Sequence, residues 1–168
     1  MKLLKILLMF PFLWFISGCG NLDQGIESRF HGMWKLDKIQ SLDKATGQWT
    51  DDPFFEGWEG YILYDGQGHM GAEIVPKGYR GFDPNKNPDS LNPEGLKELV
   101  AFYRSNFVYF ANYKVNGKTV EHTRLCATNP KDWGSILTRD FEFRNDTLFL
   151  TPHEILWGRQ SRLRWIKQ

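Results

Sequence analysis

Residues 107–127 read FVYFANYKVNGKTVEHTRLCA, and this stretch decides the fold. Two runs rich in aromatic and β-branched residues flank Asn116-Gly117, a dipeptide that favours the tight turn between antiparallel strands. A two-residue loop there sets Val115 against Lys118, Tyr113 against Val120, Ala111 against His122, Tyr109 against Arg124 and Phe107 against Cys126. Side chains alternate along a strand, so these residues share one face. The other face holds Lys114, Thr119, Asn112, Glu121, Phe110 and Thr123; it is more polar and is expected to meet water.

The same logic extends in both directions. Towards the C-terminus, Asn145-Asp146 pairs Phe143 with Leu148 and Phe141 with Leu150, so Arg139 shares their inward face while Asp140 and Glu142 point out. Residues Ser161 to Lys167 form a last strand. Towards the N-terminus, a strand starts at Gly32-Met33-Trp34, a loop holds Gly47, Pro53 and Gly57, and Tyr61–Tyr64 and His69–Val75 flank the turn Asp65-Gly66-Gln67-Gly68. Tyr61, Leu63, Met70, Ala72 and Ile74 are expected on one face of that hairpin. A long proline-rich connection from Pro76 leads to one helical pattern, Glu94–Ser105, with Leu96, Leu99, Val100 and Tyr103 at helical spacing, Asn92 as N-cap and Pro93 at the first position. About eight short strands and one helix make an all-β fold, either a closed barrel or a sandwich.

The chain opens with an address. Lys2 and Lys5 precede an apolar run from Leu3 to Ile16, shorter than the roughly 20 residues that span a bilayer and of signal-peptide size. Ile16-Ser17-Gly18-Cys19 resembles the bacterial lipobox, which implies cleavage after residue 18 and a diacylated Cys19, carrying chains such as palmitate, as first residue of the mature lipoprotein. Gly20 after the cysteine, by analogy with Gram-negative sorting, favours an outer-membrane anchor in the cell envelope, facing the periplasm. The expected organisation is a signal peptide over 1–18, a polar lipidated tether over 19–30 and a barrel over 31–168. Cleavage removes two lysines and no acid, turning the net charge of +1 into −1. A near-neutral domain excludes a strongly basic nucleic-acid binder. With Cys19 acylated, Cys126 has no disulfide partner and reads as a small core residue.

Further along, Gly32-Met33-Trp34 resembles the Gly-x-Trp of lipocalins. More specifically, Gly60-Tyr61-Ile62-Leu63-Tyr64 with Gly68-His69-Met70, Phe110 to Gly117, Val120-Glu121-His122, Asn129-Pro130 with Trp133-Gly134, and Arg139 to Phe143 are similar to the lipocalin-like domain family of bacteria and fungi. The resemblance implies an eight-stranded antiparallel lipocalin-like (calycin) barrel with one short helix. It also implies that Trp34 packs across the barrel floor against a basic residue of the last strand, Arg162 or Arg164.

Inside such a barrel the strand registers put Tyr61, Tyr109, Tyr113, His122, Arg124 and Arg139 among apolar residues, with Trp133 near the mouth. Donors and cations without an inward carboxylate are expensive to bury unless something oxygen-rich meets them. The expected function is therefore binding of a small apolar or amphiphilic ligand with a polar or anionic head, by a monomer tethered to the membrane through Cys19. An alternative is a barrel enzyme of isomerase or cyclase type using His122 with Tyr113 and Arg124; another is an envelope lipoprotein of structural or assembly role without ligand. His31, His69, His122 and His153 show no metal-ligand spacing, no glycine-rich phosphate loop precedes a helix, and no cofactor is expected.

Overall fold

The computed structural model describes residues 22–79, 87–155 and 158–168. The signal segment and Cys19 lie outside the described residues.

Nine strands follow in order: β1 (Gly32–Asp43), β2 (Gln48–Asp51), β3 (Glu59–Tyr64), β4 (His69–Val75), β5 (Phe107–Asn116), β6 (Thr119–Ala127), β7 (Ile136–Arg144), β8 (Thr147–Pro152) and β9 (Ser161–Lys167). Each of β3 to β8 pairs antiparallel with the next, and β1 pairs with both β3 and β9. Eight strands thereby close a barrel, as expected. The loop anticipated after β1 contains β2, which pairs only with the upper end of β1, from Gln40 to Asp43.

Two helices flank the barrel. The expected one, α2 (Pro93–Ser105), starts as its sequence dictates, with the Asn92 Oδ1 accepting from the Gly95 amide at 2.8 Å and Pro93 where a missing N–H costs nothing. Leu99 turns inward, and Phe102 stacks on Tyr79 at 4.7 Å. The second helix, α1 (Leu22–Phe30), lies in the segment expected to be a tether. Ile26 and Phe30 stand four residues apart on one helical face, and both pack against the core. Phe30 is fully buried among Tyr64, Phe141 and Phe143 at ring distances of 4.9–5.0 Å. Nine mostly polar residues thus end in the plug of the barrel, because one aromatic side chain on one helical face outweighs the polarity of the rest.

The floor beside this plug is built around Trp34. Its Nε1 donates to the Phe30 carbonyl at 2.7 Å, tying α1 to β1. The cation over the Trp34 ring is Lys167, at 5.0 Å, and neither of the expected arginines. Arg162 lies instead between Trp49 and Phe149, and Arg164 pairs with Asp37, which projects where the register of β1 against β9 shifts. Lys167 reaches the floor because the last strand runs downward to its end beside the plug.

Register decides what faces in. The Asn145-Asp146 turn pairs its strands as expected, down to Arg139 opposite Pro152. At the other hairpin Asn116 itself joins the ladder opposite Thr119, so Tyr113, and not Ala111, meets His122. A two-residue shift preserves the face and changes only the neighbour. Above it a bulge, with Ala111 opposite Arg124 but Phe110 opposite Cys126, carries Cys126 away from the inner face to a half-buried position beside Phe110.

The β3–β4 turn brings the larger correction. The Asp65 carboxylate accepts from the Gln67 and His69 amides at 2.7 and 2.9 Å, and the Asp65 amide donates to the His69 carbonyl. This closes five residues rather than four, so Tyr64 pairs with Met70 and Ile62 with Ala72. Tyr61 and Leu63 consequently point outward, with Tyr61 39% exposed, while Ile62 and Tyr64 enter the core. Gly60 occupies the inward position opposite Ile74, where an added Cβ would lie 2.5 Å from the Glu73 carbonyl.

Candidate functional site

At the centre of the barrel His122 is wholly buried and both ring nitrogens are engaged. From the plugged side the Tyr64 hydroxyl meets Nε2 at 3.0 Å; from the mouth side the Tyr109 hydroxyl meets Nδ1 at 2.9 Å. Arg139 Nη1 stands 3.3 Å from the same Nδ1. A guanidinium can only donate, so Nδ1 carries the lone pair, accepting from Arg139 and Tyr109, while Nε2–H donates to Tyr64. Burial first, and then the Arg139 charge, hold the His122 pKa well below 6.5, so the ring is neutral. Burial likewise raises Tyr64 and Tyr109, and both stay protonated at physiological pH.

The two inward arginines differ. Arg124 is compensated: its Nε donates to Ser135 Oγ at 2.7 Å, Nη2 reaches the same oxygen, and Nη2 lies 3.2 Å from Asp132 Oδ1. Ser135 Oγ in turn donates to the Asp132 carbonyl, so Arg124 pins the connection between β6 and β7. Arg139 is only 4% exposed and makes one side-chain hydrogen bond, the one to His122. Among the described residues no carboxylate pairs with it; the nearby Asp140 is bound to His153 on the outside.

Of the residues expected in the lining, the structure brings Tyr109, His122 and Arg139 together and leaves Arg124 beside them in its own network. Tyr113 is buried against Phe30 and Tyr64, on the plug side, and its hydroxyl makes no hydrogen bond; burial, then the charges of Glu27 and Asp65, push it up to about 12. Tyr61 is outside. Trp133 is 59% exposed, its Nε1 donating to the Ala127 carbonyl at 2.9 Å, so it caps the β6–β7 connection rather than plugging the mouth. Both His122 nitrogens are engaged by other groups, Tyr113 lies opposite His122 in the ladder, and Arg124 is held by Ser135 and Asp132.

Two residues escaped the sequence reading. Tyr64 takes the place expected of Tyr61, by the turn parity above. Glu154 lies just past β8, and extending the alternation Leu150, Pro152 by one step would have placed it inward. Among the described residues no group of three His, Cys, Asp or Glu side chains could hold a metal.

Two cavities walled by described residues lie at the rim and on the outer surface. One of about 530 Å³ lies between the end of α2 and the β6–β7 connection, lined by Arg104, Asn106, Phe107 and Lys131 among others. Another, of about 380 Å³, lies on the outer wall along Met33, Leu63 and Phe110. The His122 centre itself is packed by Tyr64 and Tyr109.

Compared with known proteins, the chain finds no match among curated ones. Among solved structures, a lipocalin-like protein from Bacteroides uniformis aligns at 13% identity with a TM-score of 0.43, covering 83% of this chain and 99% of its own. A DUF4847 family protein from Bacteroides vulgatus gives 11% identity, a TM-score of 0.43 and coverage of 86% and 99%. Fatty-acid-binding protein 1 of Echinococcus granulosus gives 12%, 0.38, and coverage of 83% and 98%. The lipocalin-like domain matches residues 31–167, from the residue before β1 to the last of β9, and with the closed antiparallel barrel this establishes that the chain belongs to the lipocalin-like domain family.

Proposed function

We propose that the barrel binds a small amphiphile, an apolar molecule with an anionic or oxygen-rich head, which enters from the mouth and meets Arg139. The single observation that carries this reading is a buried guanidinium with no carboxylate partner among the described residues, resting on a neutral imidazole. An uncompensated buried ion costs several kcal/mol, which stability alone does not repay. An arriving anion would repay it through a bidentate, charge-assisted contact. His122 holds Arg139 in place, and the plug formed by α1 leaves the mouth as the route in.

The test is calorimetric titration of the purified domain with myristate, alongside native mass spectrometry after mild extraction. Arg139→Leu should weaken myristate binding by about 30-fold or more, as expected for a lost charge-assisted bond, while folding stability holds or rises. A wild-type barrel that binds no amphiphile, or an Arg139→Leu protein that binds as tightly, overturns the reading.

The lipobox supports the further proposal that Cys19 is acylated and holds the domain on an envelope membrane, the outer membrane on its periplasmic side. The mass of the N-terminal peptide from membrane-extracted protein tests this; an unmodified Cys19 or an intact leader counts against it.

A further inference from the structure

The turn beyond β8 brings a second inward charge to the same site. β7 and β8 pair Arg139 with Pro152, and the His153 amide continues the ladder by donating to the Thr138 carbonyl at 3.0 Å. The next position, Glu154, therefore stands opposite Leu137 and on the inner face with Pro152 and Arg139. Its Oε1 is buried and has no hydrogen-bond partner. Arg139 and Glu154 are diagonal neighbours across two strands, a relation that sets Cα atoms about 7–8 Å apart, within easy reach of two long side chains.

They do not pair. Arg139 turns to His122, and Glu154 Oε1 has no hydrogen-bond partner among the described residues. Both charges act on the Tyr109 hydroxyl, Arg139 favouring its ionisation and Glu154 opposing it. The other acids nearby are committed: Asp132 to Arg124 and Asp140 to His153. A donor fork and a buried acceptor oxygen, neither with an ionic partner among the described residues, thus stand as diagonal neighbours on the mouth side of His122.

We infer that the ligand's head group bridges them: it presents an acidic or acceptor group to Arg139 and, beside it, an N–H or O–H donor to Glu154. The inference rests on the amphiphile reading above and narrows it, from fatty acids in general to amphiphiles whose acid group has a neighbouring ammonium or hydroxyl. A plain fatty acid satisfies Arg139 and leaves the buried Glu154 Oε1 unmet, next to a second negative charge. A head with the extra donor satisfies both. A hydrogen bond to a charged group contributes about 1.5–3 kcal/mol, equivalent to roughly 10- to 150-fold in affinity.

Three probes of equal chain length separate the cases: myristic acid, 3-hydroxymyristic acid and a myristoyl lysophosphatidylethanolamine, titrated into the whole domain. The expected result is that at least one donor-bearing probe binds about tenfold or more tightly than myristic acid, and that Glu154→Gln removes this preference while leaving myristic acid bound as tightly or more so. The tighter of the two donor-bearing probes identifies hydroxyl or ammonium as the donor. Equal binding of all three by the wild-type protein overturns the inference and leaves the amphiphile reading standing. Equal weakening of all three by Glu154→Gln does the same, assigning Glu154 to structure. No binding of any probe overturns both. The wild-type ranking alone decides the matter if Glu154→Gln fails to fold.

Discussion

Arg139 holds its guanidinium 3.3 Å from Nδ1 of His122, and burial, reinforced by this contact, keeps the only histidine inside the described barrel uncharged. The relationship has a pH signature. The folded-state pKa of His122 lies below 6.5, so the unfolded chain takes up the proton first. Its contribution to stability is full above that pH and is lost as pH falls from there towards the folded value, with a slope of about 1.4 kcal/mol per pH unit. Urea unfolding measured from neutral to acid pH should show this slope, and His122→Gln, though less stable at neutral pH, should show a flatter acid limb.

The tyrosines give the opposite limb. Tyr64, Tyr109 and Tyr113 are all raised above 10.0, so the unfolded chain ionises first and their support is present below that pH and lost above it. An ultraviolet titration should find the Tyr113 step at about 12 or at unfolding, whichever comes first.

Phe30 is the test of the plug. Phe30→Ala removes a wholly buried ring from contact with Tyr64, Phe141 and Phe143. The expected loss is about 3–5 kcal/mol, read as a drop in the urea midpoint with an unchanged slope. A mere tether would lose nothing.

Lys167 and Arg164 make a paired comparison. Lys167→Met takes the cation off the Trp34 face and should cost about 0.5–1 kcal/mol. Arg164→Met breaks a surface pair with Asp37 and should cost less than about 1 kcal/mol, an effect that fades in salt. Denaturation at low and high ionic strength distinguishes them.

Gly60→Ala should destabilise by about 1–3 kcal/mol, because the new methyl meets the Glu73 backbone rather than a movable side chain. Gly78→Ala, with open space around its Cβ, meets no such wall and pays only for its positive φ of 82°.

The barrel and most of its inner face were legible because alternation is a strict period: Tyr109, His122, Arg124 and Arg139 all fell inside from residue order alone. What failed were the places where a side chain edits the backbone count. The Asp65 carboxylate enlarges a turn by one residue and exchanges Tyr61 for Tyr64; a bulge near Leu125 moves Cys126 out. Composition hid α1 because its apolar content is almost confined to one face, Ile26 and Phe30. Nor could order alone say which arginine finds a carboxylate, since Asp132 reaches Arg124 through a loop whose shape depends on Asn129 and Pro130.

The plug also fixes an orientation. α1 lies across the closed end, with Ile26 and Phe30 both against the core, and the Gln168 amide returns to the Met33 carbonyl at that same end. Anything attached ahead of Leu22 grips the barrel by its base. With the acyl anchor proposed at Cys19, the attachment lies at the base and the opening at the opposite end, so the proposed ligand would enter on the side away from the membrane.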